Sequence, residues 1–228
     1  MGTQTAVLCL MGYRSDSIYW GLARFVVGKY KLRKIPGLEF FKILGSGKQG
    51  GFAVEPSFKH QGLFCVFQTE EFAKAFLNTS PIIESYQQHS NEFFSVLLKT
   101  YSNRGTWAST ALTETVVAPS QGPIAAITRA SIKPSKAFSF WQKAPPAELS
   151  LTSANGCLLA AGLGEAPYFR QATFTIWEST EQMNQYARTG AHLAAIKAAQ
   201  TEGYFSESMF TRFIPINPKG VWRGKTYA

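Results

Sequence analysis

Two stretches of the chain repeat one pattern of apolar and polar positions. "FCVFQTEEFAKAFLNTSPI" (64–82) lies on "FTIWESTEQMNQYARTGAH" (174–192) without a gap, at an offset of 110. Phe64 matches Phe174, Val66 matches Ile176, Phe67 matches Trp177, Glu71 matches Glu181 and Thr79 matches Thr189. Each copy opens as an apolar β-type run, passes a Thr or Ser of capping type and predicts an amphipathic helix with acid in its first turn. Upstream, "LEFFKILGSG" (38–47) sits opposite "NGCLLAAGLG" (155–164), both strand-like and both ending in Gly-x-Gly. Before these come "AVLCLM" and "IAAITRA", each followed by a helix-like stretch, one around Trp20 and the other around Trp141. Each copy closes on Gly-x-Trp, at 105–107 and at 220–222.

The plan of each half is therefore β–α–β–loop–β–α–β, the split pattern of a ferredoxin-like unit. The expected architecture is α+β: two tandem ferredoxin-like halves packed face to face as a pseudo-two-fold barrel. The N-terminal half spans 1–112, a linker 113–122 and the C-terminal half 123–228, with "LTETVVAPSQGP" carrying the junction. Strand alternation is weak, as expected where helices cover one face and a second sheet or a ligand the other.

Composition narrows the class. The 228 residues are 45% hydrophobic and 16% charged with 18 Phe and 5 Trp, which suits a packed core or one enclosing an apolar cavity. Cys9, Cys65 and Cys157 are an odd, scattered set, so they predict buried thiols in a reducing compartment and no disulfide framework. No apolar run reaches the roughly 20 residues that span a bilayer. "MGTQTAVLCLMGYRSD" has no basic region ahead of its apolar run, so it predicts a first strand and a soluble, cytoplasmic chain. The net charge is +9. Arg24, Lys29, Lys31, Arg33 and Lys34 fall in one acid-free stretch, and the tail adds Lys219, Arg223 and Lys225. Such a surface attracts polyanions, either anionic lipid headgroups at the inner face of a membrane or nucleic acid, or serves only solubility.

Candidate chemistry centres on few residues. His192 follows Gly190 and is expected in the first turn of a helix, where the helix dipole keeps an imidazole neutral and able to ligate a metal; a histidine merely capped there is the alternative. In the first copy the same slot holds Ile82. His89 falls near the end of the matching helix, suited to a surface cap, and His60 in a polar loop. No H-E-x-x-H or acidic cluster is present, which argues against a metal held by several protein ligands, whereas a haem needs a single histidine. "GSGKQGG" (45–51) satisfies G-x-G-x-x-G, but Pro56 follows where a dinucleotide fold needs a helix, so it predicts a link between strands. No G-x-S-x-G elbow supports hydrolase chemistry. Nucleic-acid binding rests on charge alone and is not expected.

Across nearly its whole length the chain resembles the bacterial spheroidene monooxygenase family, the carotenoid 2-ketolases. The residues that carry this are "FFKILGSG" with "GGF" (50–52), "TRA" (128–130), "FW" (140–141), "GLGEAP" through "TFTIW" (162–177), and "ARTGAH" with "EGYF" (187–205). The resemblance implies a haem-binding dimeric α+β barrel. It also implies an activity that introduces a keto group at C-2 of an acyclic carotenoid by successive hydroxylations, with dioxygen as co-substrate and electrons from a reduced ferredoxin. It makes His192 the axial haem ligand, with His89 as the alternative. Arg129 and Lys42 match family positions, suited to pairing with propionates or polarising bound oxygen, or to salt bridges at the barrel mouth. Trp20 and Trp141 are expected in the core. Competing expectations are a cofactor-free oxygenase of the same barrel type and a non-enzymatic haem or carotenoid carrier.

Overall fold

The structure is a computed structural model that describes residues 3–51, 53, 55–143, 151 and 154–228, without the side chains of 143, 191, 192, 195, 196 and 200. The first half runs β1 (Thr5–Tyr13), α1 (Ile18–Ala23), a π-turn (Arg24–Gly28), α2 (Lys29–Leu32), β2 (Leu38–Gly47), β3 (Pro56–Phe67), α3 (Glu70–Thr79), α4 (Pro81–Gln88) and β4 (Ser90–Gly105). The second runs β5 (Ile124–Ile132), α5 (Ala137–Lys143), β6 (Cys157–Ala166), β7 (Arg170–Trp177), α6 (Thr180–Ala187), α7 (Gly190–Glu202) and β8 (Phe205–Trp222), with β9 (Lys225–Tyr227) as a short addition.

The repeated caps do what their residue types dictate. Thr69 accepts a hydrogen bond from the Phe72 amide at the start of α3, and Ser179 accepts one from Gln182 at the start of α6. Glu70, Glu71 and Glu181 occupy the first turns, where the helix dipole favours a carboxylate.

Strand order is β4-β1-β3-β2 in one half and β8-β5-β7-β6 in the other, all antiparallel, and pairings β2–β6 and β4–β8 close an eight-stranded barrel. The predicted architecture is thus the observed one. The seams differ in length: ten register pairs join β4 to β8, whereas only Gly45–Gly164 and Ser46–Leu163 join β2 to β6. Register shifts the sequence alignment of β2 on β6 by two residues, because Phe40 faces Val66 just as Leu159 faces Ile176. Gly45 is then the counterpart of Gly164, and the two pair directly. Lys99 and Ile214 are likewise counterparts and pair across the other seam, so the pseudo-two-fold axis passes through both.

The two Gly-x-Trp motifs have matching jobs. Gly105 (φ +83°) and Gly220 (φ +108°) let the long seam close: a Cβ would stand 2.1 Å from the Ser208 carbonyl oxygen at one and 2.0 Å from that of Phe93 at the other. Trp107 and Trp222 are buried among Leu8, Phe64, Phe94, Ile127, Phe174 and Phe213 in the barrel lumen. In the first half a second core fills the space between sheet and helices, with Val7, Cys9, Met11, Leu63 and Cys65 packed against Leu32, Phe76, Ile83 and Tyr86. Each such side chain contributes about 1.5–3 kcal/mol on burial.

Two expectations need correction. His60 lies on β3, half-buried, because that strand begins with a polar segment that resembles a loop in sequence. Cys9 and Cys65 are buried, but Cys157 at the start of β6 is only half-buried, its thiol pushed up to about 11 by burial. Among the described residues no helix is long and apolar enough to cross a membrane.

Candidate functional site

The helix-facing side of the sheet is built differently in the two halves. Strand register makes Ala126, Thr128 and Ala130 of β5 the counterparts of Val7, Cys9 and Met11. By the same register Thr173 and Thr175 of β7 replace Leu63 and Cys65, while Ala160 and Gly162 of β6 replace Phe41 and Ile43. On β8, Arg212 replaces the buried Leu97. Every exchange removes volume or adds a polar group. Cys9 is fully buried, whereas its counterpart Thr128 is exposed.

The result is a cavity of about 970 Å³. All of those second-half residues except Ala160 line it, together with Trp177, Met183, Tyr186, Ala199, Phe140 and Trp141. It continues over the short β2–β6 seam to Gly45, Ser46, Gly47, Leu22, Phe25 and Phe58. The equivalent layer of the first half retains a pocket of about 90 Å³, lined by Trp20, Ile82 and Tyr86 among others. Close packing is the ordinary state of a protein interior, so a face hollowed position by position in one repeat is the candidate ligand site. Trp141, expected in the core, borders this cavity, because the sheet beneath offers only small side chains; its indole N–H donates to the Tyr168 carbonyl at 2.9 Å.

Lys42 and Arg129 are brought together, but on the other side of the sheet, facing the lumen. Arg129 pairs with Glu207 and, at 3.3 Å, with Glu165; Lys42 Nζ stands 2.8 Å from Glu165, to which the Trp107 indole N–H donates at 2.7 Å. Burial alone would raise the Glu165 carboxyl, but the Lys42 ammonium and the Trp107 donor overcome it and hold it below the usual range. Burial also opposes the Glu207 carboxylate, yet the Ser109 amide, the Thr106 hydroxyl and Arg129 bring its pKa down to about 2. Neither Lys42 nor Arg129 lines the cavity, whereas Glu165 does, where β6 bulges between Gly164 and Ala166. Among the described residues, the cations that line it are Arg212, whose Nη2 donates to Asn184 Oδ1 at 3.3 Å, and the exposed Arg104. Sequence reading missed both. The signal for Arg212 is the contrast with Leu97, visible only once β4 and β8 are aligned by register.

The histidines are spread widely. His89, at the C-terminal end of α4 in the filled half, hydrogen-bonds through Nδ1 to the Ser85 carbonyl at 2.8 Å and stacks on Trp20 at 4.0 Å. His60 bonds through Nδ1 to Ser57 Oγ at 2.7 Å, and burial holds its pKa below the ordinary value. His192 is the third residue of α7, whose N-cap is Thr189; its side chain lies outside the described set. Among the described residues no three His, Cys, Asp or Glu side chains converge on a common metal position.

Two ferredoxin-like halves closed into one eight-stranded barrel, with a deep cavity under the helices of one half, define a dimeric α+β barrel protein. Aldoxime dehydratase shares this fold, with a TM-score of 0.60 at 9% identity over 93% of this chain and 81% of that one. No family model matches the sequence. Spheroidene monooxygenase of Rubrivivax gelatinosus is 46% identical over 226 residues, 99% of this chain and 88% of that one. The Rhodobacter capsulatus enzyme of the same name is 34% identical over 215 residues, 92% and 89% of the two chains. The chain belongs to the spheroidene monooxygenase family, and it is an oxygenase.

Proposed function

We propose that the protein is a haem-dependent carotenoid monooxygenase that converts C-2 of an acyclic, spheroidene-like polyene to a ketone. The observation that carries this is the hollowed helix-facing side of the second half. Its apolar walls accept a flat hydrophobic ring system and one end of a polyene. Arg212 and Arg104 supply the cations that carboxylate side arms require. Ala199 of α7 lines the cavity, and His192 stands seven residues earlier, two helical turns away and so on the same side of the helix. Its repeat counterpart Ile82 lines the small pocket of the filled half. These residues fit a haem: His192 would hold its iron, and Arg212 and Arg104 would pair with its carboxylates.

Bound there, haem supplies the activation of dioxygen. The chain's own residues do the rest. Trp141, Phe140, Phe25 and Leu22 orient the polyene and exclude water, while the short side chains of β5 and β7 leave room for it at the floor. Two successive hydroxylations of one carbon leave a geminal diol that loses water to the ketone; each consumes one dioxygen, two protons and two electrons delivered singly by reduced ferredoxin, puts one oxygen atom on the carbon and releases the other as water. Lys42 and Arg129 act as positioning residues, since they reach the cavity through Glu165.

The test is the absorption spectrum of the haem-reconstituted protein, followed by turnover of spheroidene. A Soret band lost in His192→Ala and kept in His89→Ala is the expected result. Loss only in His89→Ala moves the ligand to the first half. Turnover by a protein with no Soret band replaces the scheme with a cofactor-free oxygenase, and a band without turnover replaces it with a carrier.

A further inference from the structure

The first helical run of the barrel, α1, the π-turn and α2, turns the wrong face to water. Its inner side packs through Gly21, Gly28 and Leu32, all buried. Its outer side shows Tyr19 at 85% exposure, Val26 at 66%, Val27 at 42% and Tyr30 at 65%. Their spacing, with exposed Ala23 between them, follows one helical stripe, and the extra residue of the π-turn brings Val26 and Val27 out together. Lys29, Lys31, Arg33 and Lys34 beside the stripe are exposed, and none has an ion-pair partner among the described residues. No acid occurs between Asp16 and Glu39. The same run walls the cavity with Leu22 and Phe25. In the second half, α5 repeats the arrangement: Phe138, the counterpart of Tyr19, is 80% exposed, and Phe140 and Trp141 line the cavity.

We propose that this stripe docks on an anionic phospholipid bilayer, the valines and tyrosines entering the headgroup boundary while the four cations engage lipid phosphates. Apolar stripe plus flanking cations is the signature of an interfacial helix. An acidic protein would match the lysines but leaves the apolar stripe without a role. A symmetric second copy would set two clusters of like charge against each other. The purpose rests on the proposed apolar substrate: Leu22 and Phe25 border the cavity on the helix that meets the membrane, so a polyene end passes from lipid to cavity without crossing water.

The experiment is flotation of the whole chain with phosphatidylcholine vesicles, with and without phosphatidylglycerol, across a salt series. Val26→Asp/Tyr30→Ser and Lys29→Gln/Lys31→Gln are compared with wild type, and circular dichroism melting checks that each folds. Wild type is expected to float only with phosphatidylglycerol, and release with salt. The apolar variant should lose roughly tenfold in bound fraction, and the lysine variant several-fold with a weaker salt dependence. No flotation with phosphatidylglycerol overturns the proposal, as does binding unaltered in the apolar variant. A wild-type dimer in size-exclusion chromatography that Val26→Asp dissociates also overturns it, assigning the stripe to a second copy. Vesicle binding by a protein that lacks both Soret band and turnover leaves the docking surface standing and removes the enzymatic reading alone.

Discussion

Threonine for cysteine, alanine for valine and glycine for isoleucine are small exchanges, yet on one sheet face they separate a pocket of about 90 Å³ from a cavity of about 970 Å³. Restoring the first-half residues reverses this. Ala130→Met with Thr173→Leu is expected to raise stability by about 1–2 kcal/mol through added apolar burial while abolishing turnover; urea denaturation and a substrate assay check the two effects. The lumen cluster behaves oppositely. Arg129→Met removes one donor from each of the Glu165 and Glu207 carboxylates, which keep Lys42, Trp107, Thr106 and Ser109, and should cost about 1–3 kcal/mol, measurable as a lower urea midpoint. Because the Glu207 pKa is depressed to about 2 in the folded state, its contribution is complete above the ordinary carboxylate range and is lost as pH falls toward that value. Glu207→Gln should therefore flatten the acid limb of the stability–pH curve. At this scale the sequence was only partly legible. His192 stood out because its counterpart is aliphatic, but Lys42 and Arg129 showed charge without showing which face of the sheet they take, and nothing local in the sequence singles out Arg212.

Among elements, the helices were legible because their caps and first-turn acids are local chemistry, repeated at Thr69 and Ser179. Strands carry a period of two, so a shift of two residues preserves the face and costs an alignment nothing. That is why β2 and β6 matched out of register by that amount, and why only backbone pairing set Gly45 against Gly164. The polar start of β3 hid His60 for a different reason, since residues 56–60 are mostly exposed and carry no apolar alternation although Pro56 and Ser57 pair with β2 and His60 with β1. At the long seam, Gly220→Ala is expected to destabilise by about 1–3 kcal/mol, from a strained positive φ with a Cβ driven against the Phe93 carbonyl. Gly105→Ala should do the same at the matching place, and thermal unfolding of each variant checks it.

For the whole molecule, the barrel was foreshadowed by the repeat, while the difference between its halves was not, since it appears only when counterparts are compared strand by strand in space. The two seams add a statement about time. Sheet regions held by few bonds open at lower free-energy cost than those held by many. Amide protons around Gly45, Ser46, Leu163 and Gly164 are therefore expected to exchange with deuterium well before those along β4 and β8, a contrast that mass spectrometry of peptic fragments reads directly. The molecule then has a hinge side and a latch side, and the latch lies where the cavity crosses from one half to the other.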